Sequence, residues 1–288
     1  MHFNKEVLIM YKHLLCMNTS PDFGCSVEEQ IKLLHDTGFD GFFTHWGKEL
    51  PIEKWAALAK DTGMLYQSIH APFDGTAQLW RCDKDAADFA EKQLLQCVHS
   101  CSDNGIDLMV SHCYIGFDGI VEITESGLER YGRIIDEAEK CGVRIAFENT
   151  EGLEYLDSLM TVFKDRKNVG FCLDTGHENC YNFGENLLAR WGDRLIATHL
   201  NDNLGIKDYN GKITWHDDLH LLPFDGIRDW DELAKRFSAC GYDGVLTFEL
   251  CKQSKPGRHE NDIYDRMSLQ DYFAACYIRA CRFAAKLK

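Results

Sequence analysis

A chain of 288 residues with 45% hydrophobic side chains can bury a large core, which excludes a disordered polypeptide. Its 31 basic and 46 acidic residues leave a net charge of −15 at pH 7. No general basic surface is available to follow a polyanion such as DNA, although a bound cluster of divalent cations would reverse the sign locally.

The N-terminal stretch MHFNKEVLIMYKHLLCM is broken by His2, Lys5, Glu6, Lys12 and His13, so it has no signal-peptide core. No later run is long enough to span a bilayer. Thirteen cysteines, an odd number with no C-x-x-C pair, read as reduced core thiols of a cytoplasmic protein.

Short β-type runs alternate with helical patterns along the chain. EVLIMY (6–11) is the first expected strand, followed by the helix SVEEQIKLLHDTG, where Ile31, Leu34 and His35 share the sheet-facing side. GFFTHW (41–46) precedes PIEKWAALAKDTG, and LYQSIH (65–70) precedes DAADFAEKQLLQCVHSCSDNG. DLMVSH (107–112) leads to LERYGRIIDEAEKCG, and then come VRIAFE (143–148), VGFCLD (169–174) and RLIATHL (194–200). DWDELAKRFSACG precedes GVLTFEL (244–250), and a last helix covers roughly 262–286. Five of these helices finish in glycine, at Gly38, Gly63, Gly105, Gly142 and Gly241.

Near-continuous apolar strands imply a parallel sheet covered by helices. Eight strand–helix repeats predict an α/β protein, a single (β/α)8 TIM barrel with residues 1–288 as one domain. An open doubly wound sheet is the alternative, but no Gly-x-Gly-x-x-Gly follows a strand and no P-loop occurs.

The strand ends carry the chemistry. The third run ends in His70, the fourth in His112, the fifth in Glu148 and the sixth in Asp174, with His177 just beyond. The seventh carries His199 near its end, the eighth carries Glu249, and the seventh loop adds His216, Asp217, Asp218 and His220. Taken singly, His70 reads as a core histidine, Glu148 as a salt-bridge partner and Asp174 as a helix cap. Taken together at the C-terminal mouth of a barrel, so many buried carboxylates need a cation. Carboxylate with imidazole suits Zn²⁺, Mn²⁺, Co²⁺ or Fe²⁺.

The ordered motifs IHAPF (69–73), VSHC (110–113), IAFEN (145–149), LDTGH (173–177), THLNDN (198–203), DDLHLLPFDG (217–226) and LTFEL (246–250) resemble the xylose-isomerase-like TIM-barrel superfamily. That superfamily includes sugar and sugar-phosphate isomerases and epimerases, inositol-catabolism enzymes and deoxyribonuclease IV. The resemblance implies one divalent ion (Mn²⁺, Zn²⁺, Co²⁺ or Mg²⁺) on Glu148, Asp174, His199 and Glu249. It also implies Glu148 and Glu249 as the catalytic acid–base pair and His177 as a substrate-hydroxyl contact. The expected activity is isomerisation or epimerisation of a sugar or sugar phosphate through an enediolate.

The deoxyribonuclease IV branch implies a rival, a three-zinc phosphodiester hydrolase using His70, His112, His177, Asp218 and His220 as further ligands. The acidic charge and the loop APFDGTAQLW, which has no basic cluster, argue against nucleic acid. A third possibility is a barrel that binds sugar without catalysis.

Trp46, Phe73, Tyr114, Tyr181 and Trp215 fall at strand ends or in loops, where rings can pack on a sugar or simply on the barrel mouth. Lys252, Lys255 and Arg258 make the loop after strand eight basic, and Arg258 is the candidate for a substrate phosphate. Lys207 offers a second such charge. The last helix, apolar on more than one side, leaves room for a homo-oligomer contact.

Overall fold

The computed structural model describes residues 12–81, 83–117, 122–206 and 213–287. Within them, eight parallel strands are ordered β7-β6-β5-β4-β3-β2-β1-β8. They are β1 (Leu15–Asn18), β2 (Gly41–His45), β3 (Leu65–His70), β4 (Leu108–His112), β5 (Arg144–Glu148), β6 (Val169–Asp174), β7 (Leu195–His199) and β8 (Leu246–Phe248). The ring closes between β7 and β8, where Leu200 pairs with Phe248 and its N–H donates to the Thr247 carbonyl at 2.8 Å. This is a TIM barrel.

Ten helices are described: α1 (Val27–Thr37), α2 (Ile52–Thr62), α3 (Lys84–Asp103), α4 (Glu125–Lys140), α5 (Leu153–Val162), α6 (Thr175–Cys180), α7 (Leu188–Trp191), α8 (Trp230–Cys240), α9 (Asp262–Asp265) and α10 (Leu269–Ala284). Their starts follow local chemistry. Ser26 Oγ accepts the Glu29 N–H while the Glu29 carboxylate accepts the Ser26 N–H, so two otherwise orphaned donors are satisfied reciprocally. Asp83, Thr124, Asp229 and Ser268 cap α3, α4, α8 and α10, each through a side-chain oxygen that accepts a first-turn N–H. The five expected terminal glycines all have positive φ, between 69° and 114°.

Three local readings are corrected. The expected strand 6–11 lies outside the described residues, and the first barrel strand is instead LCMN, paired with β2 and β8. The final helix is two, because Ser268 caps a new start through the Asp271 N–H. His35 does not face the sheet; it is exposed beside Asp36, while Ile31 and Leu34 are fully buried.

All twelve described cysteines are free thiols. Among the described residues no helix is long and apolar enough to cross a membrane.

Candidate metal centre at the barrel mouth

Strand side chains alternate between faces, so the residue two before an inward-facing group also faces inward. Leu108 and Val110 precede His112, Ala146 precedes Glu148, Cys172 precedes Asp174, and Ala197 precedes His199. These five form a buried apolar cluster separate from the larger helix-facing core. They make a small, dry layer beneath the polar strand ends. Register then sets the neighbours: His45 lies opposite His70, His112 opposite Glu148, and Asp174 opposite His199.

Glu148 is completely buried and ringed by imidazoles. Its Oε1 is 3.0 Å from His199 Nδ1 and 3.5 Å from His177 Nδ1, and its Oε2 is 3.3 Å from both His70 Nε2 and His112 Nε2. Glu249, just past the end of β8, places Oε2 3.0 Å from the same His199 Nδ1. Asp218 Oδ2 lies 2.6 Å from His220 Nε2 and 3.4 Å from His177 Nε2.

Four groups result at the mouth, each with donor atoms within 4.8 Å of one another: Glu148–Asp174–His199–Glu249, Glu148–Cys172–His199, His70–His112–Glu148, and His177–Asp218–His220. Every expected ligand is therefore brought to this mouth.

The histidine orientations fit a cation. His70, His177 and His220 direct Nδ1 at the backbone carbonyls of Ala71, Asn149 and Glu249, at 2.8, 2.9 and 3.1 Å. With Nδ1–H donating, each neutral ring presents its Nε2 lone pair to a carboxylate. Two acceptors facing each other at such distances attract only with a proton or a metal between them. His199 Nε2, His112 Nδ1 and Asp218 Oδ1 are buried atoms without a hydrogen-bond partner among the described residues. His220 also holds a left-handed backbone (φ 47°), tied down by its two ring contacts and by the Cys251 N–H.

Burial alone would raise the Glu148 pKa, yet the charge of His199 and hydrogen bonds from His112, His199 and His70 hold it well below the usual carboxylate range. Burial likewise opposes the His199 imidazolium, and Glu148 with Glu249 outweighs it, so His199 titrates well above an ordinary histidine. Asp174 is pushed up to about 6 by burial, with His177 opposing and Glu148 adding.

Asp174 does two jobs. Its Oδ1 caps α6 by accepting the His177 N–H at 2.6 Å, and its Oδ2 accepts from Asn201 Nδ2 at 2.8 Å. Gly176 is required for this, because a Cβ there would stand 2.0 Å from Asn201 Oδ1. Asn149 clamps the Asp174 main chain through both its amide N–H and its carbonyl.

The loop after β7 is organised by Asp202, which is completely buried. It accepts from the N–H groups of Asn203, Phe224 and Arg228 and from Trp230 Nε1, at 2.8–3.1 Å. An antiparallel bridge joins Asp202 to Leu221, one residue from His220.

Two expected contacts are not brought to this group. Trp46 donates its indole N–H to Ser100 Oγ on α3, so it packs outward; the inward neighbour is His45, whose ring lies 5.0 Å from that of His70. Arg258 is held by Glu260 at 2.9 Å and Asp217 at 3.6 Å, and donates to the His216 carbonyl. Tyr114 stacks on Tyr155. Phe73, Tyr181 and Trp215 do line a cavity of about 460 Å³, together with His112, His177, Asp218, Glu151 and Lys255. Lys207 lies outside the described residues.

The sequence reading missed His45 and Glu151. Burial pushes the Glu151 carboxyl up to about 7, against a hydrogen bond from the Gly116 N–H. A carboxyl with a raised native pKa stabilises the fold fully below its unfolded value, and that contribution is lost as pH rises through the native one. In metal-free protein the stability of the wild type relative to Glu151→Gln is therefore expected to fall by about 2–3 kcal/mol between about pH 4.5 and about pH 7. Urea unfolding of both proteins on either side of that window checks it; parallel stabilities would exclude a titrating Glu151.

Comparisons with known proteins agree with this architecture. The "Uncharacterized protein y4fM" of Sinorhizobium fredii is 46% identical over 82 residues, covering 28% of this chain and 23% of its own. The "Uncharacterized protein MJ1311" of Methanocaldococcus jannaschii is 27% identical over 203 residues, covering 63% of each. The matches thus span about a quarter of the first relative and under two thirds of the second.

Among solved structures, the IOLI protein with a binding zinc atom superposes with a TM-score of 0.77 at 18% identity, over 96% of this chain and 99% of its own. A D-tagatose 3-epimerase-like protein gives 0.66 at 20% identity, over 92% and 98%. A family model described as xylose isomerase-like TIM barrel matches residues 31–268. With that match over most of its length, and with the barrel closed as described, this chain belongs to the xylose isomerase-like TIM barrel family.

Proposed function

We propose that the protein is a divalent-metal-dependent isomerase or epimerase of a sugar or sugar phosphate. The observation that carries this reading is the group Glu148, Asp174, His199 and Glu249, with donor atoms within 4.8 Å of one another at the mouth of the barrel. These four residues would hold the ion, with Mn²⁺, Zn²⁺, Co²⁺ or Mg²⁺ the candidates. When bound, such an ion polarises a substrate carbonyl and so acidifies the adjacent C–H.

The protein's own groups supply the rest. Glu148 and Glu249 come from β5 and from just beyond β8, and both reach His199 Nδ1 at 3.0 Å. Carboxylates on separate strands suit a base on one face of the substrate and an acid on the other. One removes the carbon-bound proton, the other returns a proton that it has taken from solvent, and the cis-enediolate between them collapses to an epimer or to the aldose–ketose isomer. His177 lines the cavity with Nδ1 held by the Asn149 carbonyl, and its loose 3.4 Å contact from Nε2 to Asp218 can give way to a substrate hydroxyl. The rings of Phe73, Tyr181 and Trp215 shield the cavity from water. Sugar epimerases among the structural neighbours support the same chemistry.

Two measurements on metal-loaded protein test the reading: metal content, and solvent deuterium entering the carbon next to a ketose carbonyl. Exchange that disappears on chelation and returns with metal is expected. Sugar binding without any exchange would leave a binding protein in its place.

A second reading rests on a separate observation, the triads His70–His112–Glu148 and His177–Asp218–His220. With the four-residue group they offer places for three ions, which together could clamp a phosphodiester and activate water. Three ions per chain with cleavage of abasic DNA, and no deuterium in any ketose, would put hydrolysis first.

A further inference from the structure

We propose that the cavity takes a substrate bearing an anionic group, carboxylate or phosphate, and that the ammonium of Lys255 binds it. The proposal rests on the sugar-transforming reading above and narrows its substrate class.

Lys255 is the one ammonium or guanidinium among the described residues lining the cavity. The other two basic residues of its loop are committed. Lys252 donates to the Asp265 carbonyl at 2.7 Å, and Arg258 is bound by Glu260 and Asp217. Lys255 Nζ instead sits over the Trp215 ring, 5.5 Å from its centroid. An indole face steadies an ammonium without neutralising it.

The acids nearby have other partners, Asp218 through Oδ2 with His220 and His177, and Glu151 with the Gly116 N–H. Among the described residues no carboxylate forms an ion pair with Lys255. The exposed Asp74 is the other acid of the lining.

A cation thus stands unneutralised in a concave chamber of a protein whose net charge is −15. Hydroxyls of a neutral sugar need no full charge to be recognised, whereas carboxylate and phosphate gain a charge-assisted hydrogen bond from one. His112, His177 and Asp218 belong to the same wall, so a molecule in this cavity can reach both the ammonium and the metal-ligating cluster.

The test uses the metal-loaded full chain and three probes, D-fructose, D-fructose 6-phosphate and D-glucuronate, titrated calorimetrically. At least one anionic probe is expected to bind more tightly than D-fructose. Lys255→Met should reduce that affinity ratio roughly tenfold, and Lys255→Arg should largely restore it. The probe whose advantage responds to Lys255→Met identifies phosphate or carboxylate as the group. Trp215→Leu, which removes the ring and keeps the charge, should lower the same ratio less.

Failure of both anionic probes to bind more tightly than D-fructose overturns the proposal, as does a ratio indifferent to Lys255→Met. If ketose deuteration persists in that case, the isomerase reading survives without this subsite. A Lys255-dependent ratio with no deuteration of any probe leaves the subsite standing and removes the isomerase reading.

Discussion

Glu249→Gln is expected to lower solvent-deuterium incorporation into a ketose by about 10²–10⁴-fold, the usual contribution of a positioned proton-transfer group. The amide keeps an oxygen where the carboxylate had one but cannot take a proton. The carboxylate sits 3.0 Å from His199 Nδ1 and is held below its ordinary pKa, burial opposing and His199 prevailing, so it is ionised and ready as a base at neutral pH. Glu249 joins the ring closure only through its backbone N–H, which donates to the Leu200 carbonyl at 3.3 Å, so a side-chain change should leave the circular dichroism spectrum intact. Metal content must be read alongside, because Gln is also a poorer ligand. A loaded variant that still exchanges at the wild-type rate would remove Glu249 from the acid–base pair.

Asp202→Ala should be the most damaging substitution away from the ligands, costing about 3–5 kcal/mol, since each buried donor left without an acceptor costs about 1–3 kcal/mol. Four donors lose their acceptor at once: three main-chain N–H groups and the Trp230 indole. For a chain of this size that corresponds to a fall in melting temperature of roughly 10 °C. The same carboxylate anchors the loop carrying Asp218 and His220, so metal bound per chain should fall together with thermal stability. Asp202→Asn, which keeps one acceptor oxygen, should recover part of both. Unchanged melting of the alanine variant would mean that the loop holds itself.

The strand ends were legible in the sequence because the barrel makes them simple. His112, Glu148, Asp174 and His199 each sit two residues after an apolar one, and a parallel register needs no turn chemistry to bring neighbouring ends together. The first strand was not legible. LCMN is short and has no alternation, whereas the more apolar EVLIMY just before it has the stronger β signal. His45 escaped notice beside Trp46, because choosing the bulkier ring as the strand end reverses which face each of the two occupies. Arg258 drew the phosphate assignment by its chemistry alone, and Glu260, two residues on, is the partner that composition could not reveal.

Asp174 shows a different limit. Helix cap and ligand read as alternatives in the sequence, yet a carboxylate has two oxygens and several lone pairs, and the His177 N–H and the Asn201 amide occupy only part of that capacity.

The closure of the ring through Leu200 and Phe248 has a consequence for assembly. β8, the last of the eight strands in chain order, delivers the fourth donor of the group, Glu249. No N-terminal fragment that stops short of β8 can present all four donors, however well it folds. Ion capture by all four donors is therefore a property of the closed circle, and a chromophoric metal would report that closure.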